Sequence, residues 1–200
     1  MNLQTSSNFL IFAKDQVIIK NKIIVKAISV SLLVLFMILG AYASIRLPFY
    51  PIPITLQTLV VLTGAMLLGR NLSSLAQGIY LGLGVIGIPV FTSFGSGILW
   101  FAGPTGGYLI GFVLASFIVG ILRTDKVFHS TFVMISLLLI GESILFTCGM
   151  LHLFMFYNYT IKNAILIGLV PFIPGEILKL SIAVGLIKTL KNSHFIKYIN

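Results

Sequence analysis

The feature that most constrains this chain is a series of six long apolar runs separated by short loops. They cover residues 23–45, 54–69, 72–89, 100–122, 131–157 and 161–190, the last broken at 171–175. The hydrocarbon core of a bilayer is about 30 Å thick and takes about 20 apolar residues to cross as a helix. Within lipid a segment must satisfy its own backbone hydrogen bonds, so runs of this length are read as helices. None alternates apolar and polar residues with a period of two, as a membrane β-barrel would. The predicted fold is all-α: a single polytopic membrane domain over residues 1–200 with six transmembrane helices. The second and third runs are short and require tilt or a locally thinned bilayer.

Composition agrees. Charged residues make up 8% of the chain and hydrophobic residues 58%, whereas a soluble domain carries about 25% charge. So little charge does not cover a water-facing surface, which excludes a soluble enzyme, a disordered tail and a disulfide scaffold. The single cysteine, Cys148, lies among Ile144, Leu145 and Phe146 and reads as a small buried residue. The chain has no CxxC, no HExxH and no GxxxxGK[ST]. No metal, cofactor or ATPase of its own is therefore expected.

The net charge of +9 acquires meaning from position. Lys14, Lys20, Lys22 and Lys26 precede the first run. Arg70 lies between the second and third, Arg123 and Lys126 between the fourth and fifth, and Lys188, Lys191 and Lys197 at the end of the sixth. All these fall on one side of the membrane, leaving Arg46 and Lys162 on the other and Lys179 inside. The positive-inside rule then makes both termini cytoplasmic, with residues 1–22 a cytoplasmic segment. The apolar stretch Phe9 to Ala13 is too short for a signal peptide. The basic excess reads as topology and contact with anionic lipid, with no nucleic-acid partner.

The loops predicted on the outer side are specialised. One, Arg46 to Pro53, holds Pro48, Pro51 and Pro53 and is expected to be stiff and extended. The other, Pro89 to Gly97, combines Gly95 and Gly97, where backbone can approach a ligand, with Ser93, Ser96, Phe91 and Phe94. Gly103, Gly107, Gly111 and Ala115 recur every fourth residue and predict a close helix–helix seam, with a shorter one at Gly78 and Gly82. Ala27 with Ser31, and Gly40 with Ser44, have the same spacing.

Charges inside a membrane are costly and mark functional positions. Glu176 and Lys179 stand three apart on one helical face, just after Pro171, Pro174 and Gly175. Pro174 suits the first turn of a new helix, whose N-terminal amides attract anions. The pattern points to a site for a small carboxylate-bearing molecule, or to a self-neutralising pair. Glu142 is open to packing, to pairing with Lys126 or Arg123, or to ligand contact. His152 reads as a satisfied buried histidine. Gln57, a lone amide on the second run, suits a ureido or amide ligand or a neighbouring helix.

Several stretches resemble the BioY family, the biotin-specific substrate-binding (S) components of energy-coupling factor (ECF) transporters. These are Pro51-Ile52-Pro53-Ile54-Thr55-Leu56-Gln57-Thr58-Leu59, Leu68-Gly69, Gly84 to Phe91, Gly103 to Phe112, and Pro171 to Lys179. The resemblance runs in order from about Arg46 to Lys188. It implies six membrane helices in a bacterial inner membrane, biotin bound near the outer face, and an extracellular loop acting as a lid. It also implies ECF coupling-subunit and ATPase partners, with Ala27 and Ser31 the clearest docking pair. The family places aspartate where this chain has Glu176, and paired glycines where it has Ser93-Phe94-Gly95-Ser96-Gly97.

Biotin joins an apolar bicycle to a ureido group and a carboxylate. The expected site has Phe91, Trp100 and Tyr108 as walls, Gln57, Ser93, Ser96 and Glu176 on the ureido group, and Lys179 on the carboxylate. Gly95 and Gly97 would admit close backbone approach. The expected function is biotin uptake through such a component, alone or with ECF subunits, and not an enzyme. Alternatives are another carboxylate-bearing vitamin or a biotin precursor, an ion-coupled transporter, and a membrane serine protease using Ser96 and His152.

Overall fold

A computed structural model describes residues 22–191. The expectation for the N-terminal segment up to residue 21, and the placement of Lys14, Lys20 and Lys197, lie outside the described residues. In chain order the elements are α1 (Lys22–Tyr42), β1 (Ser44–Ile45), β2 (Ile54–Thr55), α2 (Gln57–Val85), α3 (Leu99–Ala102), α4 (Gly106–Leu122), α5 (Asp125–His129), α6 (Thr131–Tyr157), α7 (Ile161–Gly168) and α8 (Ile173–Leu190). Two 3-10 turns, Thr92–Phe94 and Val170–Phe172, complete the list.

The element Gln57–Val85 is two arms, not a rod. Gly69 has φ 72° and ψ 177°, outside helical space. Gln57 Nε2 donates to Tyr80 Oη at 2.8 Å, whereas a straight helix would hold these residues about 34 Å apart. The chain therefore folds back at Gly69, which tolerates that backbone because it has no Cβ. The runs predicted at 54–69 and 72–89 correspond to these arms, with a one-residue corner in place of a loop. Arg123 Nη1 donates to the carbonyls of Met66 (3.1 Å) and Leu67 (2.8 Å), the acceptors left open where the first arm ends.

Other boundaries move for local reasons. The first run, predicted to residue 45, ends as helix at Tyr42; Ser44 and Ile45 then pair antiparallel with Thr55 and Ile54 and close the base of the proline loop. The fourth run is interrupted after Ala102 and resumes at Gly106, around Pro104. The sixth run breaks at Leu169 and the Val170–Phe172 turn, slightly before the predicted 171–175, and Pro174 sits in the first turn of α8 as expected. Helix α6 keeps the predicted 131–157 limits.

Helix α4 lies between α2 and α6. Its glycine stripe is a packing seam: a Cβ at Gly107 would overlap Cys148 O and His152, and one at Gly111 would stand 3.2 Å from Leu145 Cα. The shorter stripe departs from expectation. Gly78 and Gly82 are exposed and have nothing within 4 Å of a built Cβ. Gly40 packs within the chain, 3.3 Å from the Leu56–Gln57 backbone, while Ala27 and Ser31 face outward.

The core contains Met37, Val61, Met66, Leu138, Leu145 and Ile187, all fully buried. Large apolar side chains also cover the outside, among them Phe36, Phe117, Phe132, Ile177 and Leu178. Among the described residues, four helical stretches are long and apolar enough to cross a membrane. A surface this apolar is stable against lipid rather than water. The contacts also sort the charge. Lys22, Lys26, Arg70, Arg123, Lys126, Lys188 and Lys191 gather at the Gly69 end, where Lys191 Nζ donates to Phe128 O at 2.6 Å. Arg46 and Lys162 lie at the opposite end.

Candidate ligand site

At the end opposite Gly69, the start of α2, the 89–97 loop, α3, the start of α4 and the start of α8 line a cavity. Small-molecule sites are mostly apolar with a few placed polar groups. Here Phe91, Trp100, Tyr108, Phe146 and Phe172 supply apolar surface, and Gln57, Thr55, Thr58, Tyr80, Glu176 and Lys179 supply polarity.

The charged pair is built by the helix break. Because α8 begins at Ile173, Glu176 occupies its first turn and Lys179 the next. Both are 5% exposed. Lys179 Nζ donates to Glu176 Oε1 at 2.6 Å, to Thr58 Oγ1 at 2.9 Å and to Thr55 O at 2.8 Å. Thr58 Oγ1 in turn donates to Glu176 Oε2 at 2.9 Å. An ammonium has three N–H donors, so the lysine is saturated by protein alone. Both carboxylate oxygens have partners too. This closure lets an ion pair stand in an apolar surrounding.

The opposite wall has a second network. Gln57 donates to Tyr80 Oη, and Tyr80 donates to Val90 O at 3.2 Å. Among the described residues no hydrogen bond engages Gln57 Oε1, an acceptor on the cavity wall. Phe91 is 1% exposed and meets Tyr80 edge-on, with ring centroids 5.6 Å apart; its ring fills the space a side chain at Gly84 would need. Tyr108 Oη donates to Gly168 O at 2.6 Å, occupying a carbonyl at the end of α7.

The structure brings Gln57, Phe91, Trp100, Tyr108, Glu176 and Lys179 to one cavity. The other four predicted residues do not line it. Ser93 is exposed and accepts from Arg46 Nη2. Gly95 lies under Trp100, whose indole would overlap a Cβ there. Gly97 has φ 93° and donates to Gly84 O at 2.7 Å, and Ser96 is half-buried outside the cavity. Ser93, Gly95, Ser96 and Gly97 act on loop shape: Phe91 and Thr92 turn inward to the cavity, while Ser93 and Phe94 are exposed, Phe94 against Tyr42. Sequence reasoning missed Thr55, Thr58 and Tyr80. Thr58 was readable as the hydroxyl next to Gln57 at a helix start; Tyr80 depends on the reversal at Gly69.

The packing decides two other readings. Glu142 does not pair with Lys126 or Arg123; it is buried on α6 and borders, with Glu176, a cavity between α6 and α8. His152 is a satisfied core histidine, its Nε2 3.0 Å from Gly103 O and its ring stacked on Phe156. No hydrogen bond among the described residues joins it to Ser96, so the nucleophile–base contact that serine chemistry needs is missing.

A BioY family profile matches residues 13–194. The chain belongs to the BioY family. This BioY family member is similar to the biotin transporter BioY of Thermotoga maritima, 37% identical over 154 residues that cover 77% of this chain and 88% of that protein. It is also similar to a probable biotin transporter BioY of Pyrococcus horikoshii, 37% identical over 169 residues covering 84% and 99%. Its fold matches a crystal structure of the S-component for biotin from an ECF-type ABC transporter, with TM-score 0.82 and 27% identity over 91% of this chain and 99% of the other. BioY membership agrees with the apolar exterior and makes this a membrane protein of a transporter family.

Proposed function

We propose that the protein is the high-affinity biotin-binding component of a biotin transporter. The observation that carries this reading is the cavity itself: an aromatic chamber with an ammonium–carboxylate pair on one wall and an amide oxygen on the other. That polarity suits a ligand with an apolar body, a ureido end and a carboxylate end. Lys179 receives the ligand carboxylate by exchanging one of its three protein acceptors for it. Gln57 Oε1 and Glu176 accept from ureido N–H groups. Phe91, Trp100 and Tyr108 sandwich the bicycle. Ser93, Gly95, Ser96 and Gly97 shape the loop over the cavity, which serves as the lid.

The chain acts as one membrane domain that crosses a bacterial inner membrane six times. The α2 arms count as two crossings, and α7 with α8 as a broken sixth. The gathering of basic residues at the Gly69 end supports cytoplasmic termini. The protein binds and passes on biotin without chemistry, alone or with an ECF coupling subunit and ATPases, and Ala27 and Ser31 on the outward face of α1 suit such docking. The longer Glu176 keeps a second reading in play, another carboxylate-bearing vitamin or a biotin precursor.

Calorimetric titration of the purified protein in lipid nanodiscs tests this. Sub-micromolar biotin binding, weakened by esterifying the carboxylate, is expected. Tighter binding of a different vitamin than of biotin would overturn the reading.

A further inference from the structure

The proline loop holds an apolar side chain where neither packing nor local backbone preference calls for one. Tyr50 N donates to Leu47 O at 3.2 Å, which closes a four-residue turn around Pro48 and Phe49. Phe49 has φ 67°. Proline in the second position and a positive φ in the third is the pattern of a type II turn, whose third residue is ordinarily glycine or asparagine. A bulky side chain in that backbone is an outlier, and such strain is kept where it serves a function. The phenyl ring gains no internal packing in return: it is 102% exposed. Three residues on, Ile52 is 4% exposed and packs with Tyr108, Phe146 and Phe172. The loop is thus pinned to the core on one side while its tip is held outward.

Two observations say what meets the tip. The first is continuity. Leu35, Leu39 and Tyr42 form the exposed apolar stripe of α1, and Ile45, 65% exposed, carries that stripe off the helix end into the loop. Phe94 joins the same rim: it is exposed, it also has a left-handed backbone at φ 59°, and its ring packs on Tyr42 with centroids 4.5 Å apart. The rim therefore extends the surface that faces lipid. The second is charge. Among the described residues, the charged side chains exposed at this end are Arg46 and Lys162, both cationic; Asp125 lies at the Gly69 end, and Glu142 and Glu176 are buried. Cations beside apolar and aromatic tips match the layer where lipid phosphates meet the acyl chains.

We propose that the Pro48–Phe49 turn is a membrane anchor, with the Phe49 ring inserted below the headgroups of the leaflet at the cavity end and Phe94 beside it. The inference rests on the apolar exterior and is independent of the ligand proposed above. The anchor bears on the cavity all the same, because Ile52 and Pro53 of this loop line it. Lipid then holds from outside a segment that the core holds from within.

Depth-dependent quenching on the full chain in nanodiscs tests the proposal. The chain has one tryptophan, so Phe49→Trp combined with Trp100→Phe reports from the turn alone. Its emission should fall at least about twofold in lipid brominated just below the headgroup, less in lipid brominated near the chain ends, and little with aqueous iodide. Strong quenching by iodide with none by brominated lipid would overturn the anchor. So would protection from both quenchers, which would mean that protein, such as a second copy of the chain, covers the tip. A second readout avoids the tryptophan changes. With Cys148→Ala as background, Phe49→Cys should react with a membrane-impermeant maleimide at least about tenfold more slowly than Lys162→Cys at the same end. Equal rates at the two positions would overturn the proposal.

Discussion

Gln57 and Tyr80 are joined by a 2.8 Å hydrogen bond although 23 positions separate them within one assigned helical stretch. The bond is geometric proof of the reversal at Gly69, and it places an amide and a phenol together on the cavity wall. The corner depends on a backbone that only glycine adopts without strain. A Cβ at Gly69 would stand 3.6 Å from Arg123 Nη1, an ordinary contact. Substitution there therefore acts through the backbone. Gly69→Ala is expected to lose about 1–3 kcal/mol of stability, read as a lower melting temperature in detergent, with biotin affinity retained in the folded fraction.

Removing Lys179 alone confounds binding with folding, because it strands Glu176. Lys179→Ala should abolish measurable biotin binding and also destabilise the protein, by about 3–5 kcal/mol on the scale of broken buried pairs. The double variant Lys179→Met with Glu176→Gln removes both charges and should recover most of the stability without recovering binding. Thermal unfolding and biotin titration of the two variants separate the effects. Retained affinity in either would refute the assignment of Lys179.

Thr58 both accepts from Lys179 and donates to Glu176. Thr58→Val keeps the shape and removes both bonds. It should cost about 1–3 kcal/mol of binding free energy, the penalty for leaving buried polar groups unpaired. Thr58→Ser should restore most of it. Equal behaviour of the two variants would mean that the hydroxyl contributes through volume only.

The loop residues offer a contrast within a few positions. Ser96→Ala should leave biotin affinity within about twofold, since Ser96 does not line the cavity and surface changes cost little. Gly95→Ala should weaken it by tenfold or more, about 1.4 kcal/mol, because the added methyl displaces Trp100 from the wall. Equilibrium titrations on the two variants decide between a loop that touches ligand through Ser96 and one that acts through Trp100.

The glycine seams give a matched pair as well. Gly107→Ala forces α4 away from Cys148 and His152 and is expected to cost about 1–3 kcal/mol, as overpacking does. Gly78→Ala meets open space and should be neutral or slightly stabilising in its helix. Melting temperatures of both variants, measured in the same lipid, test the seam.

Much of the fold was legible because the membrane imposes one strong rule, a long apolar run per crossing. The 131–157 run maps onto α6 without adjustment, and the break before Glu176 lay within a few residues of its predicted place. The boundaries that moved did so where pairing between distant residues outweighs local preference, as when Ser44 and Ile45 leave α1 to bond Ile54 and Thr55. The site was legible by residue type at Lys179, Glu176, Gln57 and the aromatic walls. It was not legible at Ser93 and Ser96, because composition says which hydroxyls a loop holds and not which way they turn.

By itself the sequence determined that the chain is a helical membrane protein, that its sixth run breaks before Glu176, and that an acid and a lysine share one helical face. Each follows from local chemistry: apolar length, proline and glycine, and the spacing of three. The tertiary structure decided that Tyr80 returns to Gln57, that Thr58 bridges Glu176 and Lys179, and that Glu142 borders a cavity with Glu176 instead of meeting a basic loop. Those relationships connect residues on different helices. They are set by which faces pack and at what depth, and no local pattern in the chain encodes them.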